Sequence, residues 1–106
     1  MKSGETLIVC ITNYGHANEL MSEARKAGAR GGTIINARGT GTEKDASFFG
    51  ISLVSEKEML LIVAENVLCP SILSVINEAP MLAEPGSGIV FTIAVEQFSA
   101  LGKLNF

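Results

Sequence analysis

The side chains able to do chemistry are few and scattered. His16 is the only histidine, Cys10 and Cys69 are the only cysteines, and no C-x-x-C pair occurs. A copper or zinc site would need all three brought together by the fold. Lone cysteines inside apolar runs read instead as small buried hydrophobes. Ser47 and Ser52 have no evident base, and neither G-x-S-x-G nor H-E-x-x-H is present, so no nucleophile–base pair or metalloprotease helix can be drawn. Glu56 and Glu58 flank Lys57, a charge run that reads as a solvated turn or strand start. The expectation is a binding module and not an enzyme.

Two glycine-rich segments say more. Gly39-Thr40-Gly41-Thr42 follows a β-forming run, and Pro85-Gly86-Ser87-Gly88 precedes one. Glycine allows backbone N–H groups to converge on an anion, and the hydroxyls add donors. Neither segment is a P-loop, because no G-K-[ST] follows, and neither makes the strand-to-helix turn of a dinucleotide fold. Each alone reads as a turn. Their matched placement, one per half of the chain, points to a ligand, with Arg38 and Lys44 as available cations.

The elements that must position these residues follow from periodicity. Leu7–Ile11 is a dense β run. Asn13 is placed to cap a helix whose apolar stripe is Ala17, Leu20, Met21 and Ala24, closed by Gly28 as the residue after the cap. A diglycine turn leads into a second strand ending at Arg38. Phe48 to Val63 is β-rich but interrupted at Ser55–Glu58, which predicts a separate arm before Met59–Val63. Asn66 is placed to cap a second helix with Pro70 in its first turn, and Pro80 stops it. Ile89–Val95 is the last core strand, and Glu96–Phe106 has no strong period. The order β-α-β, loop, β-α-β predicts an α+β, ferredoxin-like sandwich: an antiparallel sheet with two helices on one face. One domain over residues 1–106 consumes the whole chain.

Composition bounds the partners. The 106 residues are 47% hydrophobic and 18% charged, which excludes disorder and predicts apolar surface buried in an oligomer. A net charge of −3 leaves no cationic row for phosphates, so nucleic acid is excluded as a partner. The apolar start is too short for a membrane span and lacks a signal-peptide pattern. A soluble, cytoplasmic protein without membrane insertion is expected.

The stretch Gly28-Ala29-Arg30-Gly31-Gly32-Thr33-Ile34-Ile35-Asn36-Ala37-Arg38-Gly39-Thr40-Gly41 resembles the helix-to-strand passage of the nitrogen-regulatory PII signal-transduction proteins. Phe49-Gly50-Ile51 followed by Glu56-Lys57-Glu58 and Met59–Val63 resembles the far side of that family's T-loop and its third strand. Pro85-Gly86-Ser87-Gly88-Ile89-Val90-Phe91 is similar to its B-loop and fourth strand. Order and spacing match over essentially the whole chain.

The resemblance implies a homotrimer that binds a small effector, an adenine nucleotide (AMP, ADP or ATP), in the clefts between subunits. It also implies control of a partner protein, such as a membrane transporter or a nitrogen-metabolism enzyme. By position, Thr33 resembles the adenine-contacting threonine, Gly39 and Gly41 the base of the T-loop, and Gly86, Ser87 and Gly88 the phosphate-cradling B-loop, with Arg38 and Thr40 beside them. The chain departs from the pattern in its cations. Ile89 stands where the B-loop lysine is usual, the tail offers only Lys103 in place of an arginine pair, and the loop after Arg38 is short and lacks a tyrosine. Each lost cation removes charge-assisted hydrogen bonds worth roughly 1.5–3 kcal/mol, which favours a less charged ligand than ATP. The lysine that assists 2-oxoglutarate binding in the family has only Lys57 nearby. A second reading is a divalent-metal protein similar to the CutA-like tolerance proteins, resting on Cys10, His16 and Cys69.

Overall fold

A computed structural model describes residues 4–40, 55–84 and 86–102. Its strands are β1 (Glu5–Asn13), β2 (Thr33–Gly39), β3 (Ser55–Glu65) and β4 (Gly88–Val95), and its helices are α1 (Ala17–Lys26) and α2 (Cys69–Asn77). The sheet order is β2-β3-β1-β4 with every pairing antiparallel. This is the ferredoxin-like α+β arrangement that the order of elements predicts.

Strand alternation divides the sheet cleanly. Ile8 and Cys10 on β1 and Leu60, Ile62 and Ala64 on β3 point toward the helices. There they form one core with Ala17, Leu20, Met21 and Ala24 of α1 and Cys69, Ile72 and Ile76 of α2. The opposite face carries Leu7, Val9, Ile11, Ile35, Met59, Leu61, Val63, Ile89, Phe91 and Ile93, and no helix lies over it among the described residues. Ile89, Phe91 and Ile93 there remain 59%, 42% and 50% exposed.

The helix ends are built partly as expected. At the end of α1 the Ala29 N–H reaches the Ala24 carbonyl and the Gly28 N–H reaches the Arg25 carbonyl, the paired bonds of a Schellman motif. Gly28 takes the positive φ of 114° that this stop requires. Pro70 lies in the first turn of α2, where its missing N–H is harmless. Pro80 comes just past the cap and opens a short 3-10 turn, Pro80–Leu82.

Both asparagine caps are corrected. Asn13 is the last residue of β1, and its Oδ1 accepts a hydrogen bond from Lys57 Nζ at 2.7 Å. Asn66 starts a 3-10 turn ahead of α2 and accepts from the Thr6 hydroxyl. Each asparagine satisfies a neighbouring strand and not a helix terminus.

The interruption expected at Ser55–Glu58 is also absent, because β3 runs unbroken from Ser55 to Glu65. Lys57 and Glu58 are each only 8% exposed, so of the charge run only Glu56 is solvated. Glu58 Oε1 accepts from the N–H groups of Gly15 and Ala17, both at 2.9 Å, and thereby caps α1 from across the fold. Two charged residues become admissible in a strand because each has a hydrogen-bond partner. The predicted arm at Phe49–Val54 lies outside the described residues, as do Gly41, Lys44, Ser47 and Ser52.

Cys10 and Cys69 are free and buried. Burial pushes the Cys10 thiol up from 9.0 to about 11. Between those values the unfolded chain loses a proton that the folded chain keeps. Stability should therefore hold below pH 9 and fall as pH rises, by at most about 1.4 kcal/mol per pH unit. Urea midpoints across this range should drop more steeply for the parent than for Cys10→Ala, and parallel slopes would refute the assignment.

Candidate ligand-binding site

Two hollows flank the open face of the sheet at its opposite ends. The smaller, of about 330 Å³, is bounded by Arg38, Gly39 and Thr40 at the end of β2, by Lys57 and Met59 of β3, and by Gly86, Ser87 and Gly88 leading into β4. The fold therefore gathers Arg38, Gly39, Thr40, Gly86, Ser87 and Gly88, drawn from two distant stretches of sequence. Thr33 lies elsewhere, in the larger hollow of about 740 Å³. Gly41 is outside the described residues.

Local chemistry explains how the smaller hollow is held open. Gly86 adopts a positive φ of 82°, which reverses the chain into β4. Ser87 closes that turn on the Glu84 carbonyl with both its N–H, at 3.1 Å, and its hydroxyl, at 2.6 Å. The hydroxyl is thus already engaged, and its remaining capacity is as an acceptor. Thr12 Oγ1 reaches the Ser87 carbonyl at 3.4 Å and ties the turn to β1. Gly88 has a packing reason as well: a Cβ there would lie 2.7 Å from the Ile11 carbonyl oxygen and 2.9 Å from Leu82 Cδ2. Among the described residues Gly39 has no such constraint, since the nearest neighbour of a Cβ there would be Lys57 Cγ at 3.9 Å.

Two cations line the hollow, Lys57 and Arg38. Strand alternation turns Lys57 toward the open face beside Met59, and Asn13 holds its ammonium. Arg38 borders the hollow, but its guanidinium Nε lies 3.8 Å from Glu56 on the helix side of the sheet, with both side chains largely exposed. An exposed pair of this kind contributes about 0–1 kcal/mol. The alternation of β3, extended back from Met59 by two residues, would have identified Lys57 from sequence. Reading Ser55–Glu58 as a break hid it.

The larger hollow collects Glu5 and Leu7 of β1, the turn Gly28–Gly32, Thr33, the end of β3 from Leu61 to Glu65, and Phe98, Ala100 and Gly102 of the tail. Thr33 and Gly39 stand at the two ends of β2, six residues and so about 20 Å apart along the strand. One small ligand on one chain does not span both.

Metal chemistry finds no support among the described residues, where no three His, Cys, Asp or Glu side chains gather. Cys10 is buried in the core, and the Cys69 thiol lies 3.5 Å from the Glu65 carbonyl. His16 sits at the start of α1. Among the described residues no helix is long and apolar enough to cross a membrane.

Known proteins bear on this geometry. A crystal structure of Arabidopsis thaliana PII bound to citrate superposes with a TM-score of 0.72 at 21% identity, covering 93% of this chain and 82% of that one. A putative PII-like signalling protein from Thermus thermophilus gives 0.65 at 21% identity, covering 90% of each chain. At that identity the likeness establishes the fold. No curated protein matches the chain significantly. The family model described as "Nitrogen regulatory protein P-II" matches residues 5–102, nearly the full length, and the chain is a member of that family.

Proposed function

We propose that this chain is a non-enzymatic cytoplasmic regulator that assembles as a homotrimer and binds an adenine nucleotide between its copies. Through that binding it controls a partner protein, a membrane transporter or a nitrogen-metabolism enzyme. The observation that carries the reading is the smaller hollow. Glycine-rich backbone from both halves of the chain meets there beside a lysine fixed by Asn13. An ammonium held in place beside glycine backbone suits a phosphate.

Assembly follows from the uncovered sheet face. Its row of exposed Ile89, Phe91 and Ile93 is apolar surface of the kind that a second copy buries. Two copies packed by this face bring the larger hollow of one against the smaller hollow of the next, so that one ligand takes Thr33 from one chain and Gly39 and Gly86–Gly88 from its neighbour. The residues present fit a nucleotide: Lys57 and Arg38 beside open backbone at Gly39 in the smaller hollow, and in the larger a hydroxyl at Thr33 with Leu7, Leu61 and Val63 and the charged Glu5, Arg30 and Glu65.

Calorimetry and thermal shift with AMP, ADP, ATP and cyclic di-AMP test the nucleotide reading. Saturable binding and a raised melting temperature are expected with AMP or ADP, weakening with added salt. Absence of heat and of thermal shift with all four would remove the nucleotide from the account.

A further inference from the structure

The short turn between β1 and α1 is held by three consecutive residues of β3. The Tyr14 N–H reaches the Glu56 carbonyl at 3.2 Å, and Lys57 Nζ reaches Asn13 Oδ1 at 2.7 Å. Glu58 Oε1 accepts from the Gly15 and Ala17 N–H groups, both at 2.9 Å. Gly15 bends the chain there with a φ of 99°, and Tyr14 stands 63% exposed on the turn. Of these three residues only Lys57 borders the smaller hollow. Asn13 is its register partner across β1 and β3 and does not itself border the hollow. Asn13 therefore links the turn, which it begins, to a charge that faces the ligand space. Lysine is a compact charge on a flexible stem with three N–H donors, so an ammonium anchored on Asn13 also donates to an anion.

We infer that Asn13 is a positioning residue that couples the smaller hollow to the β1–α1 turn, so that an anion on Lys57 tightens the turn carrying Tyr14. The inference rests on the reading above that the ligand's anionic end lies in this hollow. It adds a route by which occupancy reaches an exposed part of the surface. The coupling is reciprocal: by whatever factor the hold of Asn13 on Lys57 favours the anion, the anion strengthens that hold.

The test uses whichever of AMP, ADP and ATP binds the parent most tightly. Amide hydrogen exchange is followed at Tyr14, Gly15 and Ala17, with the buried Ile62 as reference. In the parent, saturating nucleotide should slow exchange at the turn by about fivefold or more relative to Ile62. Asn13→Ala should weaken binding about tenfold and abolish the slowing. Lys57→Met should weaken binding at least as much. The double variant should bind no worse than Lys57→Met, because Asn13 acts only through Lys57. Asn13→Asp keeps the acceptor oxygen and guards against a folding defect, yet it should weaken binding by neutralising the ammonium. A merely structural Asn13 would change melting without changing affinity. Unchanged affinity in both Asn13 variants overturns the inference and leaves the nucleotide reading standing. So do additive losses in the double variant, or tight binding to the parent with unchanged exchange at the turn. A parent that binds none of the nucleotides overturns that reading, and this inference with it.

Discussion

Glu58→Ala is expected to lower stability by about 2–3 kcal/mol, the largest loss from any single polar side chain among the described residues. Its carboxylate oxygen receives two backbone N–H groups, from Gly15 and Ala17, at the start of α1. Ala17 is fully buried. Alanine would leave its N–H without an acceptor where water does not reach, which costs about 1–3 kcal/mol. The lost negative charge at a helix N-terminus adds roughly 0.3–1 kcal/mol. For a domain of this size the melting temperature should fall by roughly 10–20 °C, measured at matched concentration. Glu58→Gln keeps an acceptor oxygen and should lose less than half as much. A Glu58→Ala protein melting within a few degrees of the parent would show that α1 does not depend on this cap.

Gly39→Val is expected to leave the fold intact and to lower nucleotide affinity by at least tenfold. A Cβ at Gly39 meets, among the described residues, nothing closer than Lys57 Cγ at 3.9 Å, and the residue's φ is not positive. A β-branched residue at the end of an edge strand should change stability by no more than about 0.5 kcal/mol. The added methyl groups enter the small hollow beside Lys57, where the ligand's anionic end would approach. Gly88→Ala is the wrong variant for this purpose. Its Cβ would crowd the Ile11 carbonyl at 2.7 Å, and the resulting overpacking costs about 1–3 kcal/mol on its own. Unchanged melting with unchanged affinity in Gly39→Val would place the ligand elsewhere.

The legible parts of the fold were those decided locally. Gly28 and Pro70 mark helix ends because only their backbone preferences suit those positions. The apolar stripe of α1 repeats at the helical period, and all four of its members are buried. The misread parts depend on partners far away in sequence. Lys57 and Glu58 look like solvated charges until Asn13 and the α1 N-terminus, more than forty residues earlier, supply hydrogen bonds. Asn13 and Asn66 look like helix caps for the same reason, since their Lys57 and Thr6 partners are invisible to a local reading.

The candidate site was legible in one respect and not in another. The matched placement of the glycine segments foretold that they would meet, and Gly39 and Gly86–Gly88 do share a hollow. The strand read from Thr33 to Arg38 already set Thr33 a strand's length from Gly39, and the two lie in separate hollows. Arg38, read as a spare cation, does border the hollow, while its guanidinium Nε also lies 3.8 Å from Glu56. Lys57 joins it there from the other face of the sheet.

The central claim is that a ligand site is completed by two copies of the chain. It is tested by plugging the two half-sites separately, with Thr33→Phe in the larger hollow and Gly39→Val in the smaller. Equal amounts are unfolded together, refolded, and titrated with the nucleotide that the parent binds. Neither variant alone should show sites of the parent's affinity. The mixture should recover about a quarter of the parent's capacity, because half of its clefts receive an intact first half-site and half of those an intact second. A mixture that binds no more than its components would contradict the account.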